Sequence, residues 1–257
     1  MTVKCKIERR VLVTALKRAA SVASAKSTVP VATAVLLEAG SGGLTVSATD
    51  LEVGITGTYP ADVSSDGKAL VNVKQLADIA KALPGDVVLE AKETTLSIRS
   101  GRASFKLHGM PPGDYPALPD ASGDFSAYPV AGTIEALEKV LPAVSDDETR
   151  YNLCGVYLRG NRIVAADGHR LSLSFVPFMW EAAPVLLPTK ALLALRGLLA
   201  GEEAFALGAT GNGLAAKVGG MTLFMRPLEA TFPDYEAVIP KDHQRSISVG
   251  REELTAA

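Results

Sequence analysis

Cysteine is nearly absent. The 257 residues hold two, Cys5 and Cys154, with no CxxC spacing and no histidine beside either, which argues against a zinc site or a disulfide framework and leaves two buried thiols as the expectation. Histidine is as scarce: His108, His169 and His243 lie far apart. No paired carboxylate, second ligand at helical spacing, Ser or Cys elbow or phosphate loop accompanies them, so no catalytic site, metal or cofactor is expected. Neither sign of charge dominates. With 26 Lys and Arg against 28 Asp and Glu, the formal net charge is −2, which argues against coating nucleic acid with the whole surface but leaves local basic faces open. No apolar run reaches the ~20 residues of a membrane helix; the nearest, Phe175 to Leu187, contains Pro177, Glu181 and Pro184. No apolar stretch follows the charged start Lys4, Lys6, Glu8, Arg9 and Arg10, so a cytoplasmic protein without a secretory signal or membrane partner is expected. What is present, 47% hydrophobic and 21% charged residues, is ordinary for a globular chain.

The chain is written twice. Ala48-Thr49-Asp50-Leu51-Glu52-Val53 returns in Ala166-Asp167-Gly168-His169-Arg170-Leu171, Asp167 lying 117 residues after Asp50, and Val73-Lys74-Gln75-Leu76 returns in Thr189-Lys190-Ala191-Leu192, Lys190 lying 116 after Lys74. Gly113-Asp114-Tyr115-Pro116 has its counterpart in Phe232-Pro233-Asp234-Tyr235, with the tyrosines 120 apart. A third start, Val249 to Ala257, copies Ile7 to Ala15. Self-similarity at a fixed period is the signature of a duplicated domain. It predicts units at residues 1–123 and 124–243, and a truncated third beginning at 244–257. The Pro- and Gly-rich stretches 111–124 and 240–243 are the expected linkers.

Within each unit, apolar spacing predicts two amphipathic helices. Val11, Leu12, Ala15, Leu16 and Ala19 mark the first, residues 74–83 the second, Ile134, Leu137 and Leu141 the third, and residues 190–199 the fourth. Short strand signals surround them at 34–37, 44–48, 52–59, 87–91, 95–98 and 103–107. The second copy repeats them at 155–158, 162–166, 170–175, 203–207, 214–218 and 222–225, with a turn expected at Gly160-Asn161. Strands grouped in hairpins cannot form a doubly wound parallel sheet. The expected class is α+β, tandem domains each with two helices packed on antiparallel sheet, the polar helix stripes facing outward together.

Several strings together resemble the bacterial sliding clamp family, the beta subunit of DNA polymerase III. They are Ala165-Ala166-Asp167-Gly168-His169-Arg170-Leu171, Arg150-Tyr151-Asn152-Leu153-Cys154-Gly155, Phe232-Pro233-Asp234-Tyr235 through Pro240, and Gly101-Arg102 with Phe105. The resemblance implies a subunit of three similar domains, two subunits of which close head to tail around duplex DNA, here with the third domain cut short after Ala257. A ring that slides should carry cations on its inner helices, because Lys and Arg gain affinity by releasing phosphate counterions without reading sequence. Arg10, Lys17 and Arg18 on the first helix, Lys74 and Lys81 on the second, and Lys190 and Arg196 on the fourth are available for that role. The third helix, with Glu135, Glu138 and Lys139, fits less well. The resemblance adds Lys26, Arg150 and Tyr151 as further DNA contacts.

It also implies a groove for short linear peptides of the polymerase III catalytic subunit, the clamp loader and repair proteins. Leu153, Ala166, Leu171, Pro233 and Val238 would supply apolar walls, Gly168 a close backbone approach, and His169 and Arg170 polar edges. The third domain supplies the other wall in this family. The expected function is a non-enzymatic processivity factor, a homodimer at full length, with the present chain a monomer. Its rivals are a two-domain peptide-binding adaptor or decoy that encircles nothing, a hydrolase built on His169, and a turn in which Gly168 serves geometry alone.

Overall fold

The computed structural model describes residues 3–24, 27–211, 213–242 and 244–256. Unit one runs β1 (Val3–Ile7), α1 (Arg9–Val22), β2 (Ala34–Gly40), β3 (Gly43–Thr49), β4 (Val53–Tyr59), β5 (Asp62–Ser65), β6 (Gly67–Asn72), α2 (Val73–Ala82), β7 (Val87–Lys92), β8 (Thr95–Ser100) and β9 (Ala103–His108). Unit two repeats the plan with β10 (Ser126–Pro129), α3 (Thr133–Val140), β11 (Gly155–Ala166), β12 (Leu171–Pro188), α4 (Thr189–Leu199), β13 (Ala204–Thr210), β14 (Gly213–Val218) and β15 (Met221–Met225). A last helix, α5 (Arg251–Ala256), is exposed along its length. The α+β class and the two helices per unit are as expected.

Each helix forms where its apolar stripe has something to cover. On α1 the residues Leu12, Ala15, Leu16, Ala19 and Val22 are buried at helical spacing, and no Gly or Pro interrupts them. The side chain of Asn72 accepts the Gln75 N–H at 3.0 Å and so caps α2. On α3 the buried stripe is Thr133, Ala136, Leu137 and Val140, with Ile134 and Leu141 only half-buried, so the helix is turned slightly from the expected stripe.

All the strand pairing is antiparallel. One sheet, ordered β5-β1-β7-β8-β9, belongs to unit one. A second runs across both units in the order β10-β13-β14-β15-β4-β3-β2-β6. The joint is the β15–β4 ladder, which pairs Met221 with Gly57, Leu223 with Ile55 and Met225 with Val53. Gly57 leaves room for the Met221 side chain, whose Sδ and Cε occupy the place a Cβ would take. The Tyr59 hydroxyl reaches Met221 Sδ at 3.1 Å, and Lys190 at the start of α4 forms an ion pair with Asp50 of unit one. The helices follow the same continuity: α2 packs on α1, α1 on α4, and α4 on α3.

Four features differ from the sequence reading. β11 passes through Gly160-Asn161 without a break, Gly160 sitting at φ 59° where the register on β12 shifts. β12 extends from Leu171 to Pro188, absorbing the apolar run that ends at Leu187. β5, β6 and β10 carry weak alternation and form because they pair along β1, β2 and β13. Cys5 is buried, but Cys154 is only half-buried, its Sγ near the Asp147 and Arg150 carbonyl oxygens.

Candidate functional site

The first candidate is the row of helices. Arg10 and Lys17 on α1 and Lys74 on α2 are exposed, and Arg196 on α4 is half-exposed. Among the described residues none of these four has a carboxylate within ion-pair distance. Three other cations of the expected set are engaged. Arg18 is half-exposed and hydrogen-bonds the Tyr59 hydroxyl. Lys81 lies 3.7 Å from Asp78. Lys190 is held by Asp50, whose side chain is largely covered, so it serves the joint between units and is not a free cation. Lys26 lies outside the described residues.

The second candidate is on unit two. The turn Asp167 to Arg170 is built by one carboxylate: Asp167 Oδ1 accepts the His169 and Arg170 N–H groups, both at 2.9 Å, and Oδ2 accepts Arg170 Nε at 2.8 Å. Those backbone donors hold the Asp167 carboxyl down at about 2. Gly168 adopts φ 91° while His169 keeps a negative φ, so the turn is not type I′, which needs both central residues in the left-handed region. The Arg150 guanidinium lies against Gly168 where a Cβ would stand, its Nη1 3.4 Å from the Asp167 carbonyl oxygen and its Nε 3.6 Å from Asp147. Arg150 thus packs beside the turn, with exposed Tyr151 next to it.

Beneath the turn sits a separate apolar cluster. Leu153, Val164, Leu186, Phe232 and Tyr235 are buried in it, and Tyr157, Ala166, Leu171, Leu173, Leu228 and Ala230 pack around them. Tyr157 stacks on Phe232 with ring centroids 5.1 Å apart and planes 8° from parallel. Of the residues expected in the groove, the structure gathers Leu153, Ala166 and Leu171 at this cluster and sets Gly168, His169 and Arg170 exposed at its edge. Pro233 and Val238 are not part of it; both point to solvent, Val238 being 69% exposed. The aromatic part of the cluster is not announced by the sequence. Phe232 and Tyr235 lie in the string Phe232-Pro233-Asp234-Tyr235, and Tyr157 occupies the alternate position of a strand, which is the signal that points to it. Arg162 fastens the segment after Phe232 by an ion pair with Glu236 at 2.8 Å.

Among the described residues no group of His, Cys, Asp or Glu could hold a metal ion, and no helix is long and apolar enough to cross a membrane.

Residues 3–119 match the family described as the DNA polymerase III beta subunit, N-terminal domain, and residues 129–234 match its central domain. The chain is 30% identical to the beta sliding clamp of Pseudomonas aeruginosa, over 98% of this chain and 72% of that protein. It is 31% identical to the beta sliding clamp of Caulobacter vibrioides, over 97% and 72%. Among solved structures, the sliding clamp of Bartonella birtlesii bound to griselimycin superposes with a TM-score of 0.91 at 28% identity, over 100% of this chain and 73% of that one. The C. crescentus beta sliding clamp, with polyethylene glycol at a putative beta-motif tethering region, gives 0.88 at 31%, over 94% and 69%.

Proposed function

The chain belongs to the DNA polymerase III beta subunit family, and from that membership we propose that it works as part of a ring that encircles duplex DNA and tethers the polymerase. The beta subunits are processivity subunits without a catalytic site, so this is not an enzyme. The ring holds DNA by topology and by sequence-independent phosphate contacts, and an ATP-driven clamp loader opens it. The polymerase III catalytic subunit and other replication and repair proteins dock by short linear peptides on the groove of unit two. The working units are 1–123, 124–243 and the start of a third at 244–257, the assembled form is a homodimer of three-unit subunits, and the place of action is the cytoplasm.

The observation that carries this reading is the helix order α2-α1-α4-α3, the first three packed on the sheet shared by both units and carrying the unpaired cations Arg10, Lys17, Lys74 and Arg196. A cationic helix face attracts phosphate through counterion release and needs no base contacts to do so. A peptide that buries one Leu and one aromatic side chain on the groove would gain about 1.5 to 3 kcal/mol from each. After ordering costs that suits a complex near the micromolar range, about −8 kcal/mol, whose partners exchange.

The test is topological. Protein loaded onto primed circular DNA with a clamp loader and ATP should stay bound through a high-salt wash and be released when the circle is cut. Equal retention on circular and linear DNA would refute encirclement.

A further inference from the structure

The two units meet over a cavity of about 150 Å³, lined on one side by Thr49, Leu51, Glu52, Val53 and Gly54 with the linker residues Pro116 to Pro119, and on the other by Leu214, Phe224 and Met225 of unit two. Its place in the repeat is informative. Ala166, Gly168, His169, Arg170 and Leu171 correspond, 117 positions earlier, to Thr49, Leu51, Glu52, Val53 and Gly54, and Val238 corresponds, 120 positions earlier, to Leu118. Six of the eight proposed groove positions therefore have counterparts lining one cavity, while those of Leu153 and Pro233, which are Leu36 and Gly113, lie outside it. The turns match in detail as well. Asp50 Oδ1 accepts the Glu52 and Val53 N–H groups as Asp167 Oδ1 accepts those of His169 and Arg170. The Asp50 N–H donates to the Val53 carbonyl as the Asp167 N–H does to that of Arg170.

We infer that this junction cavity is a second docking site for a short extended peptide, taking one aliphatic or aromatic side chain between Leu51, Leu118 and Phe224. The inference rests on the peptide reading of the unit-two groove and extends it to a place where both walls belong to one chain. The chemistry fits. The size suits a single large side chain and excludes a folded partner. Gly54 lets the linker approach closely: a Cβ there would stand 2.8 Å from Leu118 and 3.5 Å from Phe224. Leu51 is an apolar side chain 52% exposed at the mouth, on a backbone at φ 82° that a residue with a Cβ adopts rarely. Unit two has Gly168 at that position, where the conformation costs nothing. Unit one keeps an exposed leucine on unfavourable backbone beside an apolar cavity, as strained residues at ligand-binding positions do. The Arg226 N–H donates to the Glu52 carbonyl at 2.9 Å and ties the two walls together at the mouth.

The probe is the capped tetrapeptide acetyl-Gly-Leu-Phe-Gly-amide, titrated to roughly millimolar concentration into the full chain carrying labelled Leu, Val and Met methyl groups. Saturable shifts at Leu51, Leu118 and Met225 are expected. In Leu51→Asp, whose side chain is exposed enough to leave folding intact, affinity at those methyls should fall at least tenfold while the methyls of Leu153 and Leu171 respond as before. Shifts at Leu153 and Leu171 without any at Leu51, Leu118 and Met225 would overturn the junction site and leave the unit-two groove standing. Shifts confined to the junction methyls would do the reverse. Silence at both sets overturns both.

Discussion

Replacing Arg10, Lys17, Lys74 and Arg196 together by alanine should flatten the salt dependence of DNA binding by a predictable amount. Each phosphate neutralised contributes about 0.9 to the slope of log K against log salt concentration. Four cations free of carboxylate partners are therefore worth up to about 3.6 in slope. Over a fourfold rise in salt, the wild-type protein would lose about 150-fold more affinity than the variant. Lys17→Ala alone should account for about 0.9 in slope, a factor of about 3.5 over the same range. Lys190→Ala is the control, because Asp50 already holds its ammonium. It should leave the slope nearly unchanged and instead lower stability by roughly 1 kcal/mol, since a largely covered carboxylate loses its partner. Fluorescence anisotropy with a labelled duplex across a KCl series reads the slopes, and denaturant unfolding reads the stability. A Lys190→Ala slope change as large as that of Lys17→Ala would refute the assignment of roles, and an unchanged slope in the fourfold variant would refute the basic face itself.

Other consequences are as direct. Gly57→Ala places a Cβ on the Met221 side chain and should cost about 1 to 3 kcal/mol by overpacking the joint; an unchanged melting temperature would show that the joint is looser than it looks. Leu171→Ala should weaken peptide binding in the full-length protein several-fold and leave nonspecific DNA affinity alone, so equal loss of both in paired titrations would count against separate sites. For Asp167 the folded carboxyl is depressed to about 2, below the usual ~3.9. Its contribution is complete above the unfolded value and disappears as pH falls through the folded one. The His169 and Arg170 amide resonances should therefore hold steady to about pH 4 and move only toward pH 2; a midpoint near 4 would mean the turn is not held by this carboxylate.

Most of the fold was legible because two periodicities repeat at one spacing. Leu12, Leu16 and Ala19 announce α1, and the run from Leu214 to Val218 announces β14. Strands whose pairing comes from a neighbour were not legible. Asp62–Ser65 has no apolar alternation, and β1 decides its conformation. The basic residues could be assigned to helices from sequence, but their partners could not: nothing local to Lys190 says that Asp50, 140 residues earlier, will meet it. The groove was half legible for the same reason. Leu153 and Leu171 carry the motif, whereas the stacking of Tyr157 on Phe232 depends on how the segment after β15 returns across β11. Val238, expected in the wall, is exposed: the 3₁₀ turn Tyr235–Ala237 carries it beyond Tyr235, the last aromatic anchored in the cluster.

The ladder from Met221–Gly57 to Met225–Val53 has a mechanical meaning. Two bodies tied by a flexible tether can swing freely, but two bodies sharing a pleated sheet behave like one curved leaf spring. Any change in the angle between the halves must bend or break five consecutive rungs at once. Elastic compliance is thus concentrated away from this seam.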